Sequence, residues 1–143
     1  MSKLSTRIDY CYSLEIPTRW IDNDVYGHVN NVNYYSFFDT VVNHALINLG
    51  LLNHQESQLI GLVVETSCTY YAPISFPDII DATFKVGKIG NSSIRYEISL
   101  FKKGEEHPCA SGYFIHVYVD RKNRKPMSIP NKFKEKLSGL MKN

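Results

Sequence analysis

The sequence predicts an α+β fold in which a curved antiparallel sheet wraps around one long apolar helix. Three observations carry this. Tyr34, Phe37, Phe38, Val41, Val42, Ala45, Leu46 and Leu49 recur at helical spacing and form an apolar stripe about four turns long. Five other segments have the period-two or apolar-aromatic character of strands. Tight turns at Gly87–Asn91 and Lys103–Glu105 join neighbouring segments as antiparallel hairpins.

Along the chain, Ile8, Tyr10, Tyr12, Leu14 and Ile16 alternate with Asp9, Cys11, Ser13 and Glu15, a half-buried strand ended by Pro17. The helix begins near Asn33, with Asn33 or Asn31 as N-cap and Gly50 at the position after its end. Several of its residues are β-branched or aromatic, so burial must hold it where propensity does not. Leu59–Tyr71 is rich in apolar and aromatic residues. Ile80, Ala82, Phe84 and Val86 alternate with mostly polar neighbours, as do Ile94, Tyr96, Ile98 and Leu100 after the Gly90-Asn91 turn. Cys109–Val119 places Tyr113, Ile115, Val117 and Val119 on one face. A short amphipathic helix with Phe133, Leu137, Leu140 and Met141 follows Pro130. One helix and one sheet suffice to enclose a core. The open sheet edges call for a partner, so a dimer is expected.

The 143 residues fit a single domain, residues 1–143. Ten tyrosines and seven phenylalanines favour strands over a helical bundle. A net charge of +2, with basic and acidic residues interleaved, is too mild for a nucleic-acid footprint. The basic cluster from Arg121 to Lys136 reads as a solvated face. Cys11, Cys68 and Cys109 are too scattered for a disulfide scaffold or zinc site and read as small hydrophobes. No run approaches the ~18 apolar residues of a membrane span, and the start lacks an apolar signal core. A cytoplasmic location is the expectation.

The densest chemistry is in Trp20–Tyr35, where two carboxylates, a histidine and several asparagines precede the helix. There is no G-x-S-x-G, P-loop or G-x-G-x-x-G, and the five histidines form no pair at ligand spacing, so no metal or cofactor is expected. Asp24 lies within reach of the helix start, whose unpaired amides and partial positive charge can polarise a carbonyl and hold an oxyanion. A carboxylate opposite could attack that carbonyl or take a proton from water. A thioester suits so sparse a site, because a thiolate leaves readily. The competing reading makes Asp24 a turn residue bonded to its own backbone. His28 either orients water or substrate or satisfies loop carbonyls. Asn30, Asn31 and Asn33 cap and close the loop, with the Asn31 N–H facing substrate. Asp22 is structural, paired with Arg19. Glu65, within an apolar strand, is either paired near a site or faces solvent at an edge.

The segment R-W-x-D-x-D-x-x-G-H-V-N-N-x-x-Y-x-x-F-F-D, from Arg19 to Asp39, resembles the hotdog-fold acyl-CoA thioesterases of the hydroxybenzoyl-CoA thioesterase type. Val64-Glu65, the strand leading to Pro73, Phe76-Pro77-Asp78, Lys125-Pro126 and Ile129-Pro130 follow in family order. The resemblance implies a hotdog fold and hydrolysis of an acyl-CoA, or acyl-carrier-protein, thioester to acid and thiol, with CoA as part of the substrate. It implies Asp24 as the catalytic carboxylate, the Asn31 N–H as carbonyl polariser, His28 as orienting group, Gly27 as the motif glycine and Asp39 as a substrate contact. A homodimer or homotetramer is implied too. The G-H-V-N-N wording is nearer to long-chain acyl-CoA and plant acyl-carrier-protein thioesterases, but Tyr26 replaces the asparagine that the plant enzymes carry two places before the histidine. Two alternatives are a hydratase or dehydratase acting on an acyl thioester and a non-catalytic acyl-thioester binder.

Overall fold

A computed structural model describes residues 5–53 and 57–141. The strands are β1 (Tyr12–Pro17), β2 (Leu59–Tyr70), β3 (Ile79–Ile89), β4 (Ser93–Lys102) and β5 (Ala110–Asp120). The helices are α1 (Asn31–Asn48) and α2 (Asn131–Ser138). All five strands form one antiparallel sheet in the order β1-β3-β4-β5-β2. Strands β1 and β2, far apart in this order, are therefore its edges.

The helical stripe packs onto one sheet face. Tyr34, Phe37, Phe38, Val41, Val42, Ala45 and Leu46 are buried against a core that includes Ile80, Phe84, Ile94, Tyr96, Ile98 and Leu100. Burying such a side chain contributes about 1.5–3 kcal/mol, which offsets the mediocre helix propensity of this sequence. Helix α2 adds Phe133 and Leu137, the Phe133 ring meeting Tyr118 at 5.1 Å.

Four local expectations are corrected. The first strand starts at Tyr12, because Arg7–Asp9 forms a 3-10 turn. There Arg7 crosses the outer face to bond Asp81 (2.7 Å) and the Lys102 carbonyl (2.9 Å), which lifts Ile8 out of the strand. The cap of α1 is Asn30: its backbone is extended and its Oδ1 accepts from the Val32 N–H at 3.1 Å. Gly87 lies inside β3, beside a register shift between Val86 and Lys88, and the turn proper begins at Gly90. On β5 Ala110, Phe114, His116, Tyr118 and Val119 are buried, while Tyr113, Ile115 and Val117 sit half-exposed on the other face, so that of the alternating set named from sequence Val119 alone is buried.

Candidate active site

Asn23 and Val29 face each other across an antiparallel bridge, and the chain reverses between them. The Asp24 N–H donates to the His28 carbonyl (2.9 Å) and the Gly27 N–H to the Asp24 carbonyl (3.1 Å). Val25–Gly27 is thus a three-residue hairpin loop, whose last residue adopts the left-handed conformation. Gly27 supplies it, at φ 82°. Asp24 Oδ1 accepts from the Tyr26 N–H at 2.8 Å. The turn role of Asp24 occupies only half of its carboxylate. One carboxylate oxygen holds the loop, and Oδ2 has no partner among the described residues.

Accounting for the first amides of α1 singles out one donor. The Val32 N–H goes to the Asn30 side chain, and the Asn33 N–H goes to the Asn30 carbonyl at 2.9 Å. The Asn30 N–H is taken by the Asp22 carbonyl at 2.9 Å, which also receives the Asn33 side-chain amide at 3.1 Å. The Asn31 N–H has no partner among the described residues. It stands at the positive end of a helix of 18 residues, available to a carbonyl or an oxyanion.

The hairpin is fastened from below by the segment before β3. The Val29 N–H bonds the Ile74 carbonyl (2.7 Å), the Ser75 hydroxyl donates to the Gly27 carbonyl (2.9 Å), and the Phe76 N–H donates to Asn23 Oδ1 (3.0 Å). Asp78 closes this segment by accepting from the Ser75 N–H at 3.0 Å. Asp22 is buried and accepts from the Arg19 guanidinium at 2.8 Å and the Arg19 N–H at 2.7 Å. The partnership raises the Arg19 pKa further, chiefly through the hydrogen bond. Asp22 is structural, as expected.

A cavity of about 730 Å³ opens on this hairpin, lined by Asp24, Gly27, Asn23 and Asn30, with Trp20, Val25 and Tyr26 as its apolar part. These three are exposed by 76%, 93% and 82%, an unusual amount of free apolar surface beside a carboxylate. Of the residues singled out from sequence, the cavity brings together Asp24, Gly27 and Asn30. Asn31 follows the lining residue Asn30. His28, exposed at the end of the hairpin, is not in the lining. Asp39 lies about 12 Å further along α1 at the usual rise per residue. There it accepts from the Asn43 side chain at 3.0 Å, and desolvation raises its pKa. Glu65 is exposed and accepts from the Tyr113 hydroxyl at 2.7 Å, away from the cavity. Sequence reasoning missed Asn23, Ser75 and the apolar rim. The Phe76-Pro77-Asp78 turn was the one signal pointing to the clamp.

The Thioesterase-like superfamily model matches residues 17–137, a span that includes the hairpin, α1 and every strand from β2 onward. The chain belongs to the thioesterase-like superfamily. It is 47% identical to the PA5185 protein of Pseudomonas aeruginosa strain PAO1, whose crystal structure superposes with a TM-score of 0.93 over 96% of each chain. It is 25% identical over 130 residues to the long-chain acyl-CoA thioesterase FadM of Escherichia coli strain K12, covering 90% of this chain and 98% of FadM. The 1,4-dihydroxy-2-naphthoyl-CoA thioesterase Slr0204 of Synechocystis shares 14% identity and the fold, at a TM-score of 0.80 over 89% of this chain and 95% of Slr0204. The five-stranded sheet around a long helix in this superfamily member is the hotdog fold.

Proposed function

We propose that Asp24 and the Asn31 N–H carry out the CoA-thioester hydrolysis of this thioesterase. The observation that carries the assignment is the pair of unspent groups: Oδ2 of Asp24 in the cavity lining and one free amide at the tip of α1. The thioester carbonyl accepts from the Asn31 N–H. A donor of this kind aimed at a developing oxyanion is typically worth ~3–4 kcal/mol of barrier. Asp24 Oδ2 either attacks the carbonyl carbon or takes a proton from the water that does. The C–S bond then breaks and the thiolate leaves and is protonated; where Asp24 is the nucleophile, water next hydrolyses the Asp24–acyl anhydride and frees the carboxylate, so that by either route the sum is thioester plus water to acid plus thiol. His28 orients water or substrate from the rim, and Asp39 is assigned to the far end of the acyl group. No cofactor is required, since CoA or a carrier-protein arm arrives with the substrate.

The same reading includes a cytoplasmic enzyme that works as a dimer or dimer of dimers. No helix among the described residues is long and apolar enough to cross a membrane. Strand β2 is an edge of the sheet, and Leu62, Val63 and Val64 on it are exposed. A long apolar edge of this kind favours pairing with a second copy.

The test is thiol release from a panel of aliphatic and aromatic acyl-CoAs by the wild type and by Asp24→Asn. The asparagine keeps an oxygen for the Tyr26 N–H, so the hairpin persists, and the thermal midpoint checks this. Activity is expected to fall ~100-fold or more. Hydrolysis surviving within about tenfold would refute the role of Asp24. Enoyl-CoA gaining the mass of water without thiol release would instead indicate a hydratase. Binding without turnover would indicate a non-catalytic module.

A further inference from the structure

The direction of the Asn31 N–H depends on what holds the first turn of α1 in place. On the side of the hairpin, the Asp22 carbonyl fixes the turn through Asn30 and Asn33. On the side of the sheet, the Tyr70 hydroxyl, at the end of β2, donates to the Asn31 carbonyl at 3.2 Å. A carbonyl has two lone pairs, so it can accept both from its own helix and from the phenol.

Tyr70 is half-exposed, yet its ring is not free. Tyr34, buried in the first turn of the same helix, meets it edge-on at 4.8 Å. Strand and helix tip are thus joined twice within one turn, once by rings and once by a hydroxyl. Desolvation, together with Cys68 beside it, raises the Tyr70 pKa, so the phenol keeps the proton it donates. The bond spans residues 31 and 70, and no local periodicity calls for it.

We propose that Tyr70 is a positioning residue for thioester hydrolysis. Its hydroxyl holds the Asn31–Val32 peptide through the Asn31 carbonyl, and so fixes the Cα from which the N–H of Asn31, on the preceding peptide, is aimed at the substrate carbonyl. The inference rests on the role given above to the Asn31 amide. Tyr70 itself takes no part in bond making.

Tyr70→Phe keeps the ring contact with Tyr34 and deletes the hydroxyl alone. Wild type and variant are compared by steady-state thiol release with whichever of octanoyl-CoA, palmitoyl-CoA and benzoyl-CoA the wild type turns over fastest. Misplacement of a group that acts in the transition state lowers kcat more than it alters binding. The expected result is a kcat lower by ~5- to 30-fold, KM within about twofold, and a thermal midpoint within about 2 °C. A kcat within about twofold of wild type overturns the inference, as does a change confined to KM. So does a lower kcat accompanied by a midpoint loss beyond about 5 °C, which would make Tyr70 merely structural. If the wild type is inert on all three thioesters, the activity assignment fails and this inference with it. Equal activity of the two proteins removes this inference alone.

Discussion

Acidification should weaken the fold through one buried histidine. His116 is 2% exposed on the inner face of β5, and among the described residues its two ring nitrogens are the buried side-chain atoms without a hydrogen-bond partner. The rings of Tyr96, Phe114 and Tyr118 surround it, and the Tyr96 and Tyr118 hydroxyls are engaged with each other at 2.7 Å. Burial among them lowers the imidazole pKa from 6.5 to about 4. The folded value lies below the unfolded one, so the unfolded chain binds the extra proton first. The neutral ring is compatible with full stability above pH ~6.5, and that stability is lost as pH falls towards 4. At 1.36 kcal/mol per unit, the whole shift amounts to about 3 kcal/mol, of which about 2 kcal/mol is lost between pH 7.5 and 5. Urea denaturation at these two pH values, on the wild type and on His116→Leu, measures it as a double difference. The leucine variant should lose about 2 kcal/mol less on acidification. Equal losses in the two proteins would refute the assignment of acid sensitivity to His116.

Three further outcomes follow from single contacts. A β-carbon at Gly61 would stand 2.8 Å from His116 Nδ1 and 3.1 Å from the Tyr118 ring, so Gly61→Ala should cost about 1–3 kcal/mol by urea denaturation. Gly27→Ala meets nothing within 4 Å beyond its own stretch of backbone but must hold φ 82°, which sets its cost at about 1–2 kcal/mol. Gly27→Asn, which tolerates that region better, should recover part of it in the same assay. The proposed pairing through β2 predicts that Val64→Lys leaves a folded protein with the light-scattering mass of one chain, 16.4 kDa, where the wild type has a multiple of it; a variant mass equal to that of the wild type would refute the pairing through β2.

The sequence made α1 legible because its stripe is wide, regular and one-sided, and seven of its eight stripe residues are buried in the structure. Period two was less decisive where both faces are apolar. On β5 it could not choose between Tyr113-Ile115-Val117 and Phe114-His116-Tyr118, because the inner set contains a histidine and two aromatics with polar or polarisable rings. The alternation of residues 8–16 continued through a 3-10 turn because the contacts that shape the turn, from Arg7 to Asp81 and Lys102, are far away in sequence. The same distinction runs through the site. Asp24 stood out because a carboxylate close ahead of a helix start is legible in sequence, and Gly27 through the family motif, while the hairpin loop they close shows only in the structure. The supports from Ser75, Phe76 and Tyr70 reach the hairpin and helix tip across the fold, and no local pattern announces them.

The proposed hydrolysis requires the substrate carbonyl to lie between the Asp24 carboxylate and the Asn31 amide. The most direct measurement of that arrangement is a crystal structure with an acyl-CoA analogue whose thioester sulfur is replaced by methylene, leaving a ketone that cannot be hydrolysed. The ketone oxygen is expected about 2.7–3.1 Å from the Asn31 nitrogen, with Asp24 Oδ2 facing the carbonyl carbon directly or through one water. A ketone bound elsewhere, or one whose oxygen meets a different donor while the Asn31 N–H stays empty, would contradict it.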